Sequence, residues 1–315
     1  MDKPALYLAP MEGITNYVYR NVFDKYFGKG YVTKYYTPFL VPRGKGRTRR
    51  EQLEISLQNN EGMYLIPQLL TDEPDFFIEY AKTLMCMGYD EINLNFGCPS
   101  GTVTSKGRGA AILTRKDAMK KLLDASFALT GIKISVKTRL GMEDPDEFYD
   151  LLEIYNEYPL CELIIHVRVK KEMYSGTPHI DMFKYALEHS TNPVVYNGDI
   201  FSKDDYIRIR EECGASEDGF RVMIGRGAIA DPWIFREICG TTERSQKEAW
   251  DFICEFEEVN SRILSGDDHL LQRMKEIWTW YIKSFPGNEK NLKKLLKSRH
   301  KAEFHEIERQ IILGE

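Results

Sequence analysis

The alternation of apolar and polar positions predicts a repeating order of short strands and helices over residues 1–240. The clearest stretch is 90–101, DEINLNFGCPSG, where Ile92 and Leu94 alternate with Asn93 and Asn95. That is the period of a strand with two different faces. The pattern stops at Gly97, Cys98 and Pro99, where the chain leaves both helix and strand. Further strands are predicted at 5–10 (ALYLAP), 31–39, 63–70 (MYLIPQLL), 134–141 (ISVKTRLG), 162–169 (ELIIHVRV), 192–199 (NPVVYNGD) and 219–229 (GFRVMIGRGAI). Helices are predicted at 15–26, after Thr71 with Pro74 in the first turn, at 115–129, at 145–155 and from Ser202. Runs such as LII and VMI suit strands buried on both faces of a parallel sheet. Eight such β/α units fit a closed (β/α)8 TIM barrel better than an open doubly wound sheet.

After residue 240 the strand pattern ends. Amphipathic helices are predicted at 243–264, 269–284 and 288–313, broken at Pro286 and Gly287. The chain therefore divides into a barrel, 1–240, and a small all-helical domain, 241–315.

Composition narrows the picture only a little. A net charge of −5 confines any nucleic-acid surface to local patches. Six cysteines without a C-x-x-C pair point to a reduced intracellular protein, neither a disulfide scaffold nor a zinc site. No basic leader or long apolar run is present, so the cytoplasm is the default, with no membrane and no metal expected. No oligomer is predicted, and a monomer is assumed.

In a TIM barrel the chemistry gathers at the C-terminal ends of the strands. Those ends carry Pro10, Met11 and Glu12, then Gln68, then Asn95 and Cys98, then Lys137 and Arg139, then His166 and Arg168, then Asn197, Gly198 and Asp199, then Gly225 and Arg226. Cys98 taken alone suits a small buried hydrophobe, as most free cysteines are. At the rim of a sheet, a thiol also suits an acid or nucleophile. Glycines after the last two strands, in YNGD and IGRG, stand where this fold frequently binds phosphate, although each also fits an ordinary strand-to-helix turn. IGRGAIA spells G-x-G-x-x-A, but no βαβ unit can follow it, which discounts a dinucleotide fingerprint. Lys137 on a central strand needs either an ion-pair partner or an anionic ligand. His166 taken alone fits a satisfied rim histidine better than a functional one.

These pieces resemble the tRNA-dihydrouridine synthase family. The matching stretches are APMEGITNYVYR at 9–20, PQLL at 67–70, EINLNFGCPS at 91–100, SKGRGAAIL at 105–113, VKTRLG at 136–141, NGDI at 197–200 and GRGA at 225–228. The resemblance implies an enzyme that binds FMN at the barrel mouth, takes hydride from NADPH and reduces uridine in tRNA. It implies that Pro10, Met11 and Glu12 line the flavin, that Gln68 and Lys137 bond its ring, and that Asn95 and His166 lie beside it. It further implies that Asn197, Gly198, Asp199, Gly225 and Arg226 hold the phosphate end and that Cys98 is the acid. The run after His166, HVRVKKEMYSG, departs from the family's H-x-R-T by placing Val169 and Lys170 there.

Chemistry supports the thiol's role. Hydride from flavin N5 to uracil C6 leaves an enolate that needs a proton at C5. A thiol with an ordinary pKa of about 8.5 carries that proton at neutral pH. The basic loop with Arg43, Lys45, Arg47, Arg49 and Arg50, and the C-terminal Lys293, Lys294 and Lys297, are expected to meet RNA. Two rivals are an FMN barrel acting on a free pyrimidine and a non-catalytic RNA-binding barrel.

Overall fold

The computed structural model describes residues 4–42, 46–216 and 219–314. Arg43 and Lys45, expected to meet RNA, lie outside the described residues. The barrel opens with β1 (Leu6–Leu8), α1 (Tyr17–Phe23), β2 (Lys34–Tyr36) and α2 (Arg49–Glu54). It continues through β3 (Leu65–Ile66), β4 (Gln68–Leu69), α3 (Pro74–Cys86), β5 (Glu91–Phe96), α4 (Gly101–Thr104) and α5 (Lys116–Phe127). Then come β6 (Lys133–Arg139), α6 (Glu147–Asn156), β7 (Glu162–His166), α7 (Ile180–His189), β8 (Val194–Asn197) and α8 (Lys203–Cys213). β9 (Val222–Ile224), α9 (Arg226–Ala230) and α10 (Ile234–Ile238) complete it.

All paired strands are parallel, in the order β3-β2-β1-β9-β8-β7-β6-β5-β4. The strand predicted at 63–70 is split at Pro67, which has no N–H to give a ladder. Its first half pairs with β2 and its second with β5, so these two pieces act as one stave that brings the ring round. The Pro67 carbonyl still accepts from the Asn93 N–H. The strand predicted at 219–229 ends at Ile224, because the chain turns at Gly225 into α9. Gly227 allows that turn: a Cβ there would stand 1.9 Å from the Ile200 carbonyl oxygen. Also unforeseen were α7 and α2, the latter closed by a Thr48–Glu51 capping box.

The two-faced period of β5 has a direct structural result. Ile92, Leu94 and Phe96 face the helices and join the main apolar core. Residues offset by one face the barrel interior. That interior is layered. At the strand starts, the Lys34 ammonium lies 2.7 Å from Glu91 and 2.8 Å from Glu162, and the Tyr7 hydroxyl also donates to Glu162. Above them sits an apolar plug of Tyr7, Tyr36, Ile66, Ile164, Val195 and Met223. Polar side chains return at the strand ends, where the mouth opens.

The C-terminal helices are α11 (Gln246–Ile263), α12 (Asp267–Tyr281), α13 (Glu289–Lys297) and α14 (Lys301–Leu313). The stretch predicted at 288–313 thus forms two helices, parted at Ser298. Phe252 of α11 packs edge-on against Phe27, 5.0 Å between ring centres, and against Tyr26. The apolar core is therefore continuous from barrel to helices. Arg273 of α12 donates to the Gly13 carbonyl, tying the helices to the loop after β1. Among the described residues, no helix is long and apolar enough to cross a membrane.

Candidate active site

A cavity of about 720 Å3 opens at the C-terminal ends of the strands. That volume lies within the range of sites for small-molecule ligands. Pro10, Met11, Glu12, Gln68, Asn95, Cys98, Lys137, His166, Asn197, Gly198, Asp199, Gly225 and Arg226 all line it. Every residue proposed from sequence for flavin or catalysis is thus brought together, from seven separate strand ends.

Sheet register sets their positions. Asn95 stands opposite Lys137, Arg139 opposite His166, and His166 opposite Asn197. A buried amide relay runs beneath the mouth. Asn95 Nδ2 donates to Gln68 Oε1 at 2.7 Å, Gln68 Nε2 to Asn93 Oδ1 at 2.8 Å, and Asn93 Nδ2 to Ser135 Oγ at 2.9 Å. Asn95 Oδ1 is left to accept from the Gly97 and Cys98 N–H groups, at 3.1 and 2.9 Å. The Cys98 turn is therefore aimed by its own strand. It is backed by the SKGRG segment: the Cys98 carbonyl accepts from Ala110 N–H at 3.0 Å. A Cβ on Gly109, whose φ is +59°, would fall 2.7 Å from that oxygen. The thiol itself is half-buried on the cavity wall.

Electrostatics separate the roles. Burial pushes the Cys98 thiol up, against the pull of the Ser100 backbone, Arg139 and Lys137, so it stays protonated at neutral pH. The Lys137 side chain forms no hydrogen bond or ion pair among the described residues. Burial, with Arg139 adding repulsion, brings its ammonium down to about 7. Burial and the nearby Arg139, Lys137, Arg168 and Arg226 push the His166 imidazole well below the ordinary histidine range, so it is neutral. Asn197 Nδ2 donates to the Met223 carbonyl and locks β8 to β9.

The Asp199 carboxylate is engaged within the protein. It carries the sign of a phosphate, and it is held by Arg226 at 2.5 Å and Arg168 at 3.0 Å. It orients Arg226 toward the cavity. Arg168, fully buried, also ties down the Ser175 and Gly176 carbonyls, so it shapes the loop that departs from the family pattern.

Arg139, noted at its strand end but given no role from sequence, and Tyr174, not noted at all, line the same cavity. Arg139 had a signal: it lies two residues beyond Lys137, on the same face of β6. It donates to the carbonyls of Gly97 and Val169. Tyr174 had none. It is half-exposed on the loop beyond β7, its ring centre 5.5 Å from the Arg139 guanidinium and 4.9 Å from that of Arg226.

The basic segments divide. Arg50 pairs with the cavity residue Glu12 at 2.7 Å, and Arg49 is exposed beside it. Arg47 instead reaches Met87, just past the C-terminal end of α3. A barrel helix runs antiparallel to its strands, so that end lies away from the mouth. Lys293, Lys294 and Lys297 are exposed on α13. Lys283, just past α12, stands 4.9 Å from the ring centre of Phe201, which lines the cavity.

Parallel barrel, polar mouth and positioned thiol together define a (β/α)8-barrel enzyme. The family model described as dihydrouridine synthase matches residues 7–313, and the chain belongs to that family. It is 29% identical to the tRNA-dihydrouridine(16) synthase of Cupriavidus necator, over 88% of each chain. It is 28% identical to a probable tRNA-dihydrouridine synthase of Staphylococcus epidermidis, over 98% of this chain and 93% of that one.

Proposed function

We propose that this protein is an FMN-dependent, NADPH-driven tRNA-dihydrouridine synthase that reduces the uridine C5=C6 bond. One juxtaposition carries the reading: a protonated thiol and an unpaired lysine share one cavity, in a chain of the dihydrouridine synthase family. The residues fit the cofactor. Lys137 lacks the anion that its charge calls for, and Arg226 is held at the mouth by Asp199. Lys137 and Gln68 would face the ring, with Asn95 and His166 beside it, and Pro10, Met11 and Glu12 would line its edge. Asn197, Gly198, Gly225 and Arg226 would surround the phosphate, with Asp199 acting through Arg226. FMN bound there would supply the hydride that adds at uracil C6.

As that C–H bond forms, the C5=C6 electron pair shifts toward the C4 carbonyl. Cys98 Sγ gives its proton to C5, which completes the single bond. Arg139 and Lys137 stabilise the thiolate left behind, which water reprotonates. The uridine must leave its stack to reach the cavity. The helices from 241 onward, with α13 lysines and Lys283 leading toward Phe201, would form the RNA-binding domain, joined by Arg49 and Arg50.

The purified protein is expected to be yellow and, with NADPH, to form dihydrouridine in unmodified tRNA. Activity on free uracil alone, or a colourless protein that still binds RNA, would overturn the proposal. Lys137 adds a pH signature. An anion selects its charged form, whereas the empty site loses that charge above about 7. FMN affinity of the apoprotein should therefore fall as pH rises above neutrality, approaching a tenfold loss per unit from this group. Flavin fluorescence titrations from pH 6 to 9 should show the trend in the parent and a flatter one in Lys137→Met.

A further inference from the structure

A second cluster of ligand-type side chains lies between α11 and α14, separate from the barrel cavity. The facing atoms of Glu257, His305 and Glu308 all lie within 4.8 Å of one another. His305 Nδ1 is 3.5 Å from Glu257 Oε2 and 3.6 Å from Glu308 Oε2. These gaps are long for hydrogen bonds. Glu308 is fully buried. Its Oε1 accepts from Trp278 Nε1 at 2.6 Å, but its Oε2 has no hydrogen-bond partner. A buried carboxylate oxygen without a donor is costly and calls for a proton or a cation.

From this geometry we infer that Glu257, His305 and Glu308 form a binding site for a divalent transition ion of the zinc type. Ligand atoms at 2.0–2.2 Å from a tetrahedral ion stand roughly 3.3–3.6 Å apart, the spacing of the imidazole from both carboxylates. A fourth position would be left for water, and the His305 and Lys301 side chains at the cluster are half-exposed. Lys301 Nζ lies 3.1 Å from Glu257 Oε1, and it engages an oxygen other than the one facing His305. His305 must be neutral to ligate, while the two glutamates favour its protonated form, so protons compete with the ion. The ion would clamp α11 to α14. Burial, with Glu308, Glu257 and Asp251 opposing a negative charge, holds the nearby Cys254 of α11 as a thiol.

The test uses the full-length protein, stripped with a chelator and dialysed. Zn2+ is expected to bind with one equivalent per chain at pH 7.5 and to raise the thermal midpoint by several degrees. Affinity should fall tenfold or more in His305→Ala, whose side chain is exposed enough to lose without unfolding. Glu308→Gln keeps an acceptor for Trp278 and should weaken Zn2+ equally. Co2+ should quench tryptophan fluorescence in the parent, because Trp250 lies 4.9 Å from the His305 ring and Trp278 bonds Glu308. Equal Zn2+ responses in parent and His305→Ala would place the ion elsewhere and overturn the site. A midpoint that ignores Zn2+ but follows His305 titration would make the cluster a proton site and equally overturn it.

Discussion

Cys98→Ala is expected to lower the rate of dihydrouridine formation by about 10²–10⁴-fold, the usual contribution of a positioned general acid. The turn that presents residue 98 is held by Asn95 Oδ1 and the Ala110 N–H, both acting on backbone. Losing Sγ therefore removes a proton source without moving the site. Flavin content, NADPH oxidation and tRNA affinity should stay within a few-fold of the parent. Single-turnover product formation on unmodified tRNA separates the steps. A product rate within threefold of the parent would remove Cys98 from the acid's role. The direction of the pH profile also follows. An acid works while protonated, and burial raises this thiol, so activity should persist to alkaline pH and fall as the thiol ionises.

Lys34→Met should destabilise the fold by about 3–5 kcal/mol, the range for breaking a buried ion pair. The ammonium sits between Glu91 and Glu162, which are 1% and 5% exposed, and Glu91 Oε1 already lacks a partner. Methionine leaves two buried carboxylates facing each other, with Arg221, 3.7 Å from Glu162, the Tyr7 hydroxyl and the Cys161 thiol nearby. Urea melts of the parent and variant should show the deficit, and a loss below about 1 kcal/mol would mean that the ammonium is not what holds the two carboxylates in place. Glu91→Gln in the same chain should restore part of the stability. The cluster lies at the strand starts, across the apolar plug from Cys98, so folded variant should keep its catalytic rate.

The barrel was legible because its strands write their burial into period and composition. Ile92 and Leu94 against Asn93 and Asn95 gave both the strand and the inward face of β5. Strand ends were harder to read. Pro67 cut a predicted strand in two, and β9 gave way to α9 within a run that still looked apolar. In both places a single residue's backbone chemistry overrode the pattern around it.

The site was legible as a set of strand tips, and all of its sequence-assigned members line one cavity. Partnership was not. Asp199 was read as one of the strand-end residues, but nothing in its spacing showed that two arginines would hold its carboxylate. Arg47 reads like its neighbours in a basic loop, yet it turns toward Met87 while Arg50 reaches Glu12.

By itself, the amino-acid sequence determined the order of the elements, the thiol after β5 and the lysine on β6. These follow from local rules of period, turn chemistry and residue type. Tertiary structure alone decided which charges meet. Lys137 is left without a partner while Lys34 receives two, and Glu257, His305 and Glu308 converge although the first is 48 and 51 residues from the others in sequence. Electrostatic energy depends on distance through space and on burial, and neither is written in the spacing along a chain.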